Sequence, residues 1–499
     1  MKDPVNIANL VQRARQAQGH WAALSLSERS RYLTRATRRM LDKHDEALEH
    51  MREDTGKGLA EALMSEALGP LDQLKQWKSI CKRHLGRRRV RANPLAFPGK
   101  RFAVELLPRG VVASITPWNY PLATMFRPAF PALLAGNAWI VKPSEHSPRS
   151  AAWFVEQLAA ELPEGLVQIV QGGPDEGRAL LRSGIDAATF TGSIATGREV
   201  ARFCAEQLIP CSAELGGNDA AIVLADCDLP RTLAGITHWA LHNAGQNCGA
   251  IERVYVEESI AEEFVRQLAA AFEELQVGGD TGICPLAHDS QLRLVEEHVA
   301  DAISRGAALV CGGERTAAET TRGLGYRPTI LDKCPADALA MRDETFGPIV
   351  AIARAADAED ALRMANESRY GLGGSVWTRD LARGRELAER MHCGVANVNN
   401  HALTGALVAV PWTGTKETGT GIANSPYALT TFARPRTTLV DRSAKPDVFW
   451  APFDRDLIEL GRRIADLQVG RLGGLLKIPL LAAKRAKTVR RFFTRGEAR

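Results

Sequence analysis

No stretch of the 499 residues holds about 18 uninterrupted apolar positions, so no membrane-spanning helix is expected. The opening MKDPVNIANL mixes charge and proline without an apolar core; no secretory signal is expected there, and the cytoplasm is the expected compartment. CxxC pairs and zinc-type histidine spacings are missing as well. The nine cysteines, at 81, 204, 211, 227, 248, 284, 311, 334 and 393, are odd in number and scattered. That pattern argues against a disulfide framework and against a structural metal, and leaves reduced thiols, one of which can react. Internal repeats and low-complexity tracts are absent too. What is there, 45% hydrophobic and 24% charged residues, is ordinary globular composition, with length for two or three packed lobes.

The net charge of +5 is unevenly placed. Residues 484–499 (KRAKTVRRFFTRGEAR) carry seven Lys or Arg against one Glu, which leaves the rest of the chain near neutrality. No basic stripe runs through that body, so nucleic acid is not an expected partner.

Residues 1–85 predict helices, with apolar positions at three and four spacing and Gly56 and Gly58 as breaks. From about 86 the mixture of extended-type residues with Pro and Gly predicts a strand or hairpin. Short apolar runs such as GVVASITP, AWIVKPS, LVQIVQG, AATFTGS and AAIVLA then alternate with helical segments at 121–135, 148–161, 175–183 and 194–207. This alternation is the signature of a parallel sheet covered on both faces. A second alternating stretch covers about 217–412, with a lobe boundary near 216, and 425–440 returns to strand-like composition.

Cys248 in GQNCGA lies between Gly245 and Gly249, so its backbone can approach a bound substrate closely. As one of nine cysteines it is by itself more often a small buried residue than a nucleophile. Asn119 in PWNYP reads equally well as a turn residue before Pro121, and Glu214 in ELGG as a cap on the Gly216–Gly217 turn.

Taken together, PWNYP at 117–121, KPSE at 142–145, FTGS at 190–193, ELGG at 214–217, GQNC at 245–248, ETFGP at 344–348 and PWTGTKETGTG at 411–421 resemble, in order and spacing, the aldehyde dehydrogenase superfamily over about 10–440. The resemblance implies an α/β fold with a doubly wound cofactor-binding domain (1–86 and 109–216), an α/β catalytic domain (217–424) and a small β oligomerisation element (87–108 and 425–440), followed by an extension at 441–499. It also implies oxidation of an aldehyde to a carboxylic acid with Cys248 as nucleophile, Asn119 as oxyanion donor and Glu214 as general base. A homodimer or homotetramer is the expected assembly.

The chain lacks GxGxxG, and the family does without it. The strand-to-helix turn at TFTGSIATG offers free N–H groups and a helix dipole to a pyrophosphate through Gly192, Ser193 and Gly197, where a plain N-cap and helix packing is the alternative. By resemblance Trp118, Ser144 and Leu215 belong to the cofactor site, Lys142 and Glu145 reach the adenosine ribose, Glu344 holds the nicotinamide ribose, and Phe346 packs beside the nicotinamide ring. A carboxylate at 145 repels a 2′-phosphate, which favours NAD over NADP, although some relatives use either. Asn399 matches an asparagine near the active site of relatives, and Tyr120, Met125 and His401 are candidates for the substrate funnel.

The chain also departs from its relatives. Pro128, preceded by Arg127, stands where many carry a lysine; Arg434 stands where some carry a second candidate base; and TGTK at 413–416 replaces a Gly-Gly pair before lysine. In the extension, apolar and basic residues alternate with helical period through 457–499, which suits an anionic membrane surface, packing on the enzyme body or a partner subunit alike. A cofactor-free cysteine hydrolase and a non-catalytic binding protein are the rival readings of the whole chain.

Overall fold

The computed structural model describes residues 6–67, 69–94, 97–316 and 324–494; the remaining positions of the expected domain ranges (1–5, 68, 95–96, 317–323 and 495–499, the last part of the basic tail) lie outside it. The chain falls into two compact units, one of residues 1–86 with 106–434 and one of 87–105 with 435–499.

In the first unit, strands Val111–Thr116, Ala138–Pro143, Val167–Ile169, Ala187–Thr191 and Cys211–Glu214 form a wholly parallel sheet. Val111–Thr116 is central, and Val167–Ile169 and Cys211–Glu214 are the edges. The central runs are apolar and buried along their length, as a sheet covered on both faces requires. Their connecting helices, Ala123–Ala135, Pro148–Ala159, Pro174–Leu181 and Ile194–Glu206, match the expected segments to within a turn. One continuous core joins this sheet to the N-terminal helices, whose Trp21 and Trp77 are fully buried. Gly56 ends one of these helices with φ of +75°, a conformation glycine adopts without Cβ strain.

A second sheet follows directly. Its seven strands run in the order Ala308–Cys311, Thr329–Asp332, Ile349–Ala355, Ile251–Glu257, Asp219–Val223, Gly373–Trp377 and Val395–Val398. All neighbours are parallel except the first pair. Separate apolar clusters cover its two faces, one built on Phe264 and Leu268, the other on Leu292, Leu362 and Leu387. The two sheets meet in sequence at Glu214–Asp219, beside the expected boundary, yet they share one compact unit.

The second unit carries strand Arg88–Val90, most of Lys100–Pro108 and most of Ala433–Asp441, which form a three-stranded sheet. The strand expected over 425–440 begins only at Ala433, because Pro426–Phe432 forms helical turns set off by Asn424 and Ser425, both with positive φ. After it come helices Arg455–Gln468 and Lys477–Thr494. Among the described residues no helix is long and apolar enough to cross a membrane.

Candidate active site

Asn119, Glu214 and Cys248 come from three separate segments: the loop after the central strand Val111–Thr116, the end of Cys211–Glu214, and the loop after the helical turn His242–Gly245. Carboxyl ends of parallel strands are where α/β sheets gather ligands. The Asn119 side chain donates through Nδ2 to the Gln246 carbonyl at 3.0 Å, two residues before Cys248. Gly217 passes so close that a Cβ on it would collide with the Cys248 carbonyl. The Cys248 N–H donates to no group among the described residues, and the buried Asn119 Oδ1 likewise has no partner among them. Cys248 itself is half-buried and, like Trp239, packs against an apolar cluster that includes Leu372 and Trp412.

Burial dominates the electrostatics. It pushes the Cys248 thiol up to about 12, against the lowering effect of Arg127. It lifts the Glu214 carboxyl to about 7, again opposed by Arg127. The Arg127 guanidinium, one residue before the Pro128 that stands in place of the relatives' lysine, is therefore the cation acting on both groups; it donates to the Gly405 carbonyl at 3.2 Å. Beside Glu214 is a cavity of about 30 Å³ whose lining includes Thr116, Arg127, Thr189, Ser212 and Asn424. These polar groups share the lining with apolar side chains such as Pro128, Phe190 and Phe432, and the space has room for water. Arg434 is exposed on its strand.

Several residues without a sequence signal hold this arrangement. Lys57, with no exposed side chain, pairs with Glu66 at 2.6 Å and donates to the Asn119 carbonyl at 2.9 Å. The other oxygen of Glu66 accepts the Leu122 N–H at 2.7 Å, which fixes the start of the following helix. Asn243 donates to the Asn119 carbonyl at 2.9 Å, and Gln246 binds the Asn243 and Pro285 carbonyls and the Ala287 N–H. Glu252 accepts the N–H groups of Thr345 at 2.7 Å and Phe346 at 2.8 Å, which secures ETFGP even though Phe346 has a φ of +52°. The Glu252–Arg253 charged pair in the strand Ile251–Glu257, buried except at its last residue, was the one available hint of Glu252. Lys57 and Asn243 carry no periodicity or spacing that marks them, and Gln246 is marked only as a member of GQNC, with no role assigned to it there.

The cofactor candidates separate into two groups. Trp118 meets Phe346 edge-on with ring centres 5.7 Å apart, and Glu344 accepts the Gly217 N–H at 2.9 Å while burial raises its carboxyl to about 8. Gly192, Ser193 and Gly197 lie at the start of Ile194–Glu206. Gly192 donates to the Glu214 carbonyl at 3.1 Å, Ser193 is the N-cap, and a Cβ at Gly197 would run into the buried Leu215. Both the N-cap and the helix-packing alternatives are thus realised, and they coexist with an exposed N-terminal turn that carries no acidic residue. At the end of Ala138–Pro143, buried Lys142 reaches the exposed Glu145 at 3.4 Å, and Ser144 accepts the His146 N–H. An open helix N-terminus for a pyrophosphate and an exposed carboxylate for ribose hydroxyls are a donor set that fits NAD(P).

Two expectations need correction. Met125 and His401 have no exposed surface: Met125 packs in the core, and His401 bonds Ser375 at 3.0 Å and faces Asp219. Asn399 spends its amide on both backbone groups of Thr378, a structural task that also supports its φ of +54°. Tyr120 keeps partial exposure and bonds the His242 Nδ1 at 2.7 Å.

The aldehyde dehydrogenase family model matches residues 2–438. The chain belongs to the aldehyde dehydrogenase family. Curated relatives include 4,4'-diapolycopene aldehyde oxidase of Methylomonas sp., 35% identical over 456 residues that cover 90% of this chain and 84% of that protein. Another is glutarate-semialdehyde dehydrogenase of Pseudomonas aeruginosa, 35% identical over 84% of this chain and 86% of its own length. Among solved structures, a Mycobacterium tuberculosis aldehyde dehydrogenase complexed with NAD+ superimposes with a TM-score of 0.82 at 31% identity, covering 87% of this chain and 90% of that one. As an aldehyde dehydrogenase the chain is an enzyme that oxidises an aldehyde to an acid with NAD(P), which sets aside the cofactor-free hydrolase and the binding-only readings.

Proposed function

We propose that Cys248 is the nucleophile of this aldehyde dehydrogenase, Asn119 and the Cys248 N–H its oxyanion donors, and Glu214 its general base. The observation that carries this reading is the junction of the three loops: the Asn119 amide is bonded to the turn that presents Cys248, and Glu214 is raised to about 7 beside it. A thiol near 12 is protonated at rest, so Glu214 in its carboxylate form takes the proton as sulfur adds to the aldehyde carbon. The carbonyl oxygen becomes an alkoxide, stabilised by the two N–H donors, each of which contributes about 3–4 kcal/mol in comparable sites. When bound, NAD(P) supplies the acceptor for the hydride lost on collapse to the thioester. Glu214, once it has passed that proton to solvent, deprotonates a water that attacks the thioester, and it returns the proton to the departing Cys248 thiolate as the carboxylic acid is released.

The same reading assigns cofactor binding to Trp118, Lys142, Ser144, Glu145, Gly192, Ser193, Gly197, Leu215, Glu344 and Phe346, with NAD favoured by the exposed Glu145 carboxylate. It makes 1–86 with 109–216 the cofactor part and 217–424 the catalytic part, and it uses the three-stranded sheet to join subunits as a dimer or tetramer. Purified enzyme is assayed for NADH and NADPH formation on aliphatic, aromatic and acidic aldehydes, with Cys248→Ala alongside. Turnover by Cys248→Ala at the wild-type rate would overturn the assignment.

A further inference from the structure

We propose that the C-terminal helical hairpin is a docking device for an anionic lipid surface. The inference does not depend on the catalytic assignment. Helices Arg455–Gln468 and Lys477–Thr494 pack on each other, and one residue of each, Leu460 and Val489, is buried. Arg485, fully buried, clamps the approach to the hairpin: it donates to the carbonyls of Val448 at 3.1 Å, Pro452 at 2.9 Å and Trp450 at 2.7 Å, and to the Asp454 carboxylate at 2.9 Å. The unit is thus built before any partner arrives, and ordering it adds no entropy cost on docking.

What this scaffold displays is apolar and positive. At the turn between the helices Leu472 is 66% exposed and Leu476 91%, and Leu480, one helical turn on, is 72% exposed. Among the described residues of this unit none covers these side chains, and a group of exposed leucines of this kind marks an interaction surface. The segment 455–494 holds three acidic residues, and each is engaged: Asp456 by Lys484, Glu459 by Arg463, and Asp466 by Arg463 and Arg471. Exposed Arg462, Lys477, Lys487, Arg490 and Arg491 pair with no carboxylate among the described residues. Protruding aliphatics with a surplus of cations match the interfacial region of an anionic bilayer, where leucines enter the acyl boundary and Lys and Arg meet headgroup phosphates. A second copy of the same hairpin would bring like charges together, and the near-neutral remainder of the chain offers no strong counter-charge.

The test is flotation of the full-length enzyme with phosphatidylcholine vesicles, with and without phosphatidylglycerol, at low and high salt. The expected result is co-flotation only with phosphatidylglycerol and only at low salt. Leu472→Ser with Leu476→Ser and Leu480→Ser is expected to lower the bound fraction by about tenfold or more, and so is Lys477→Glu with Lys487→Glu and Arg490→Glu. Both variants keep NADH turnover in solution, which verifies folding. No flotation of the wild type, or equal flotation of the variants, overturns the proposal. So does a change in oligomeric mass of the variants by light scattering without any vesicle binding, since that makes the surface a contact between copies of this chain.

Discussion

Replacing Glu214 by glutamine keeps the size of the side chain and removes its ability to accept a proton. With the carboxyl at about 7, roughly one-tenth is ionised at pH 6 and roughly nine-tenths at pH 8. Thioester hydrolysis that needs the carboxylate therefore rises about tenfold from pH 6 to pH 8 and is lost as pH falls through about 7. An ordinary glutamate, near 4.3, would be ionised throughout and leave that step flat over the same range. Stopped-flow NADH absorbance separates the two stages: the burst reports acyl-enzyme formation and the linear phase reports hydrolysis. Glu214→Gln is expected to slow the linear phase by about 10²–10⁴-fold, to flatten its pH slope, and to leave a burst of about one NADH per site at high pH, where solvent base serves the thiol. A wild-type linear phase with no slope between pH 6 and 8, or a variant that keeps the wild-type slope, would refute the reasoning.

Asn119→Ala is expected to lower kcat by about 10²–10³-fold, measured as NADH formation, with the folded far-UV circular dichroism spectrum retained. Arg127→Gln removes the cation that lowers both Glu214 and Cys248, so the alkaline-going rise of the pH–rate profile moves to higher pH; an unmoved profile would separate Arg127 from the site. Lys57→Met leaves Glu66 buried without its cation and is expected to cost about 3–5 kcal/mol in urea denaturation, whereas a surface substitution stays within about 0.5.

The alternating order of strands and helices was legible because parallel sheets bury short apolar runs on both faces, and Val111–Thr116 and Ala138–Pro143 are such runs. The residues proposed to touch substrate or cofactor were legible as local motifs, with Asn119, Glu214 and Cys248 each standing within a short segment. Their supports were not. Lys57 acts on Asn119 from 62 residues away and Glu252 on Phe346 from 94, through bonds that only the folded chain brings into being. Composition misled at Met125 and His401, because a polar or flexible residue near a motif looks the same in sequence whether it faces a funnel or the core. At 425–432 strand-type composition lost to the turn chemistry of Asn424, Ser425 and Pro426.

The three-way anchoring of Asn119 has a consequence for how the enzyme is made. Its carbonyl is held from residues 57 and 243 and its amide from 246, while every strand of the five-stranded sheet lies before 215. On the ribosome, where chains emerge at about 5–20 residues per second, the last strand of that sheet is made about 2–6 seconds before residue 246, to which the proposed oxyanion donor is bonded. Chains truncated between 215 and 242 would hold every strand of the parallel sheet with the PWN loop still untethered from the cysteine turn, so competence is a late event in synthesis rather than one that comes with the first sheet.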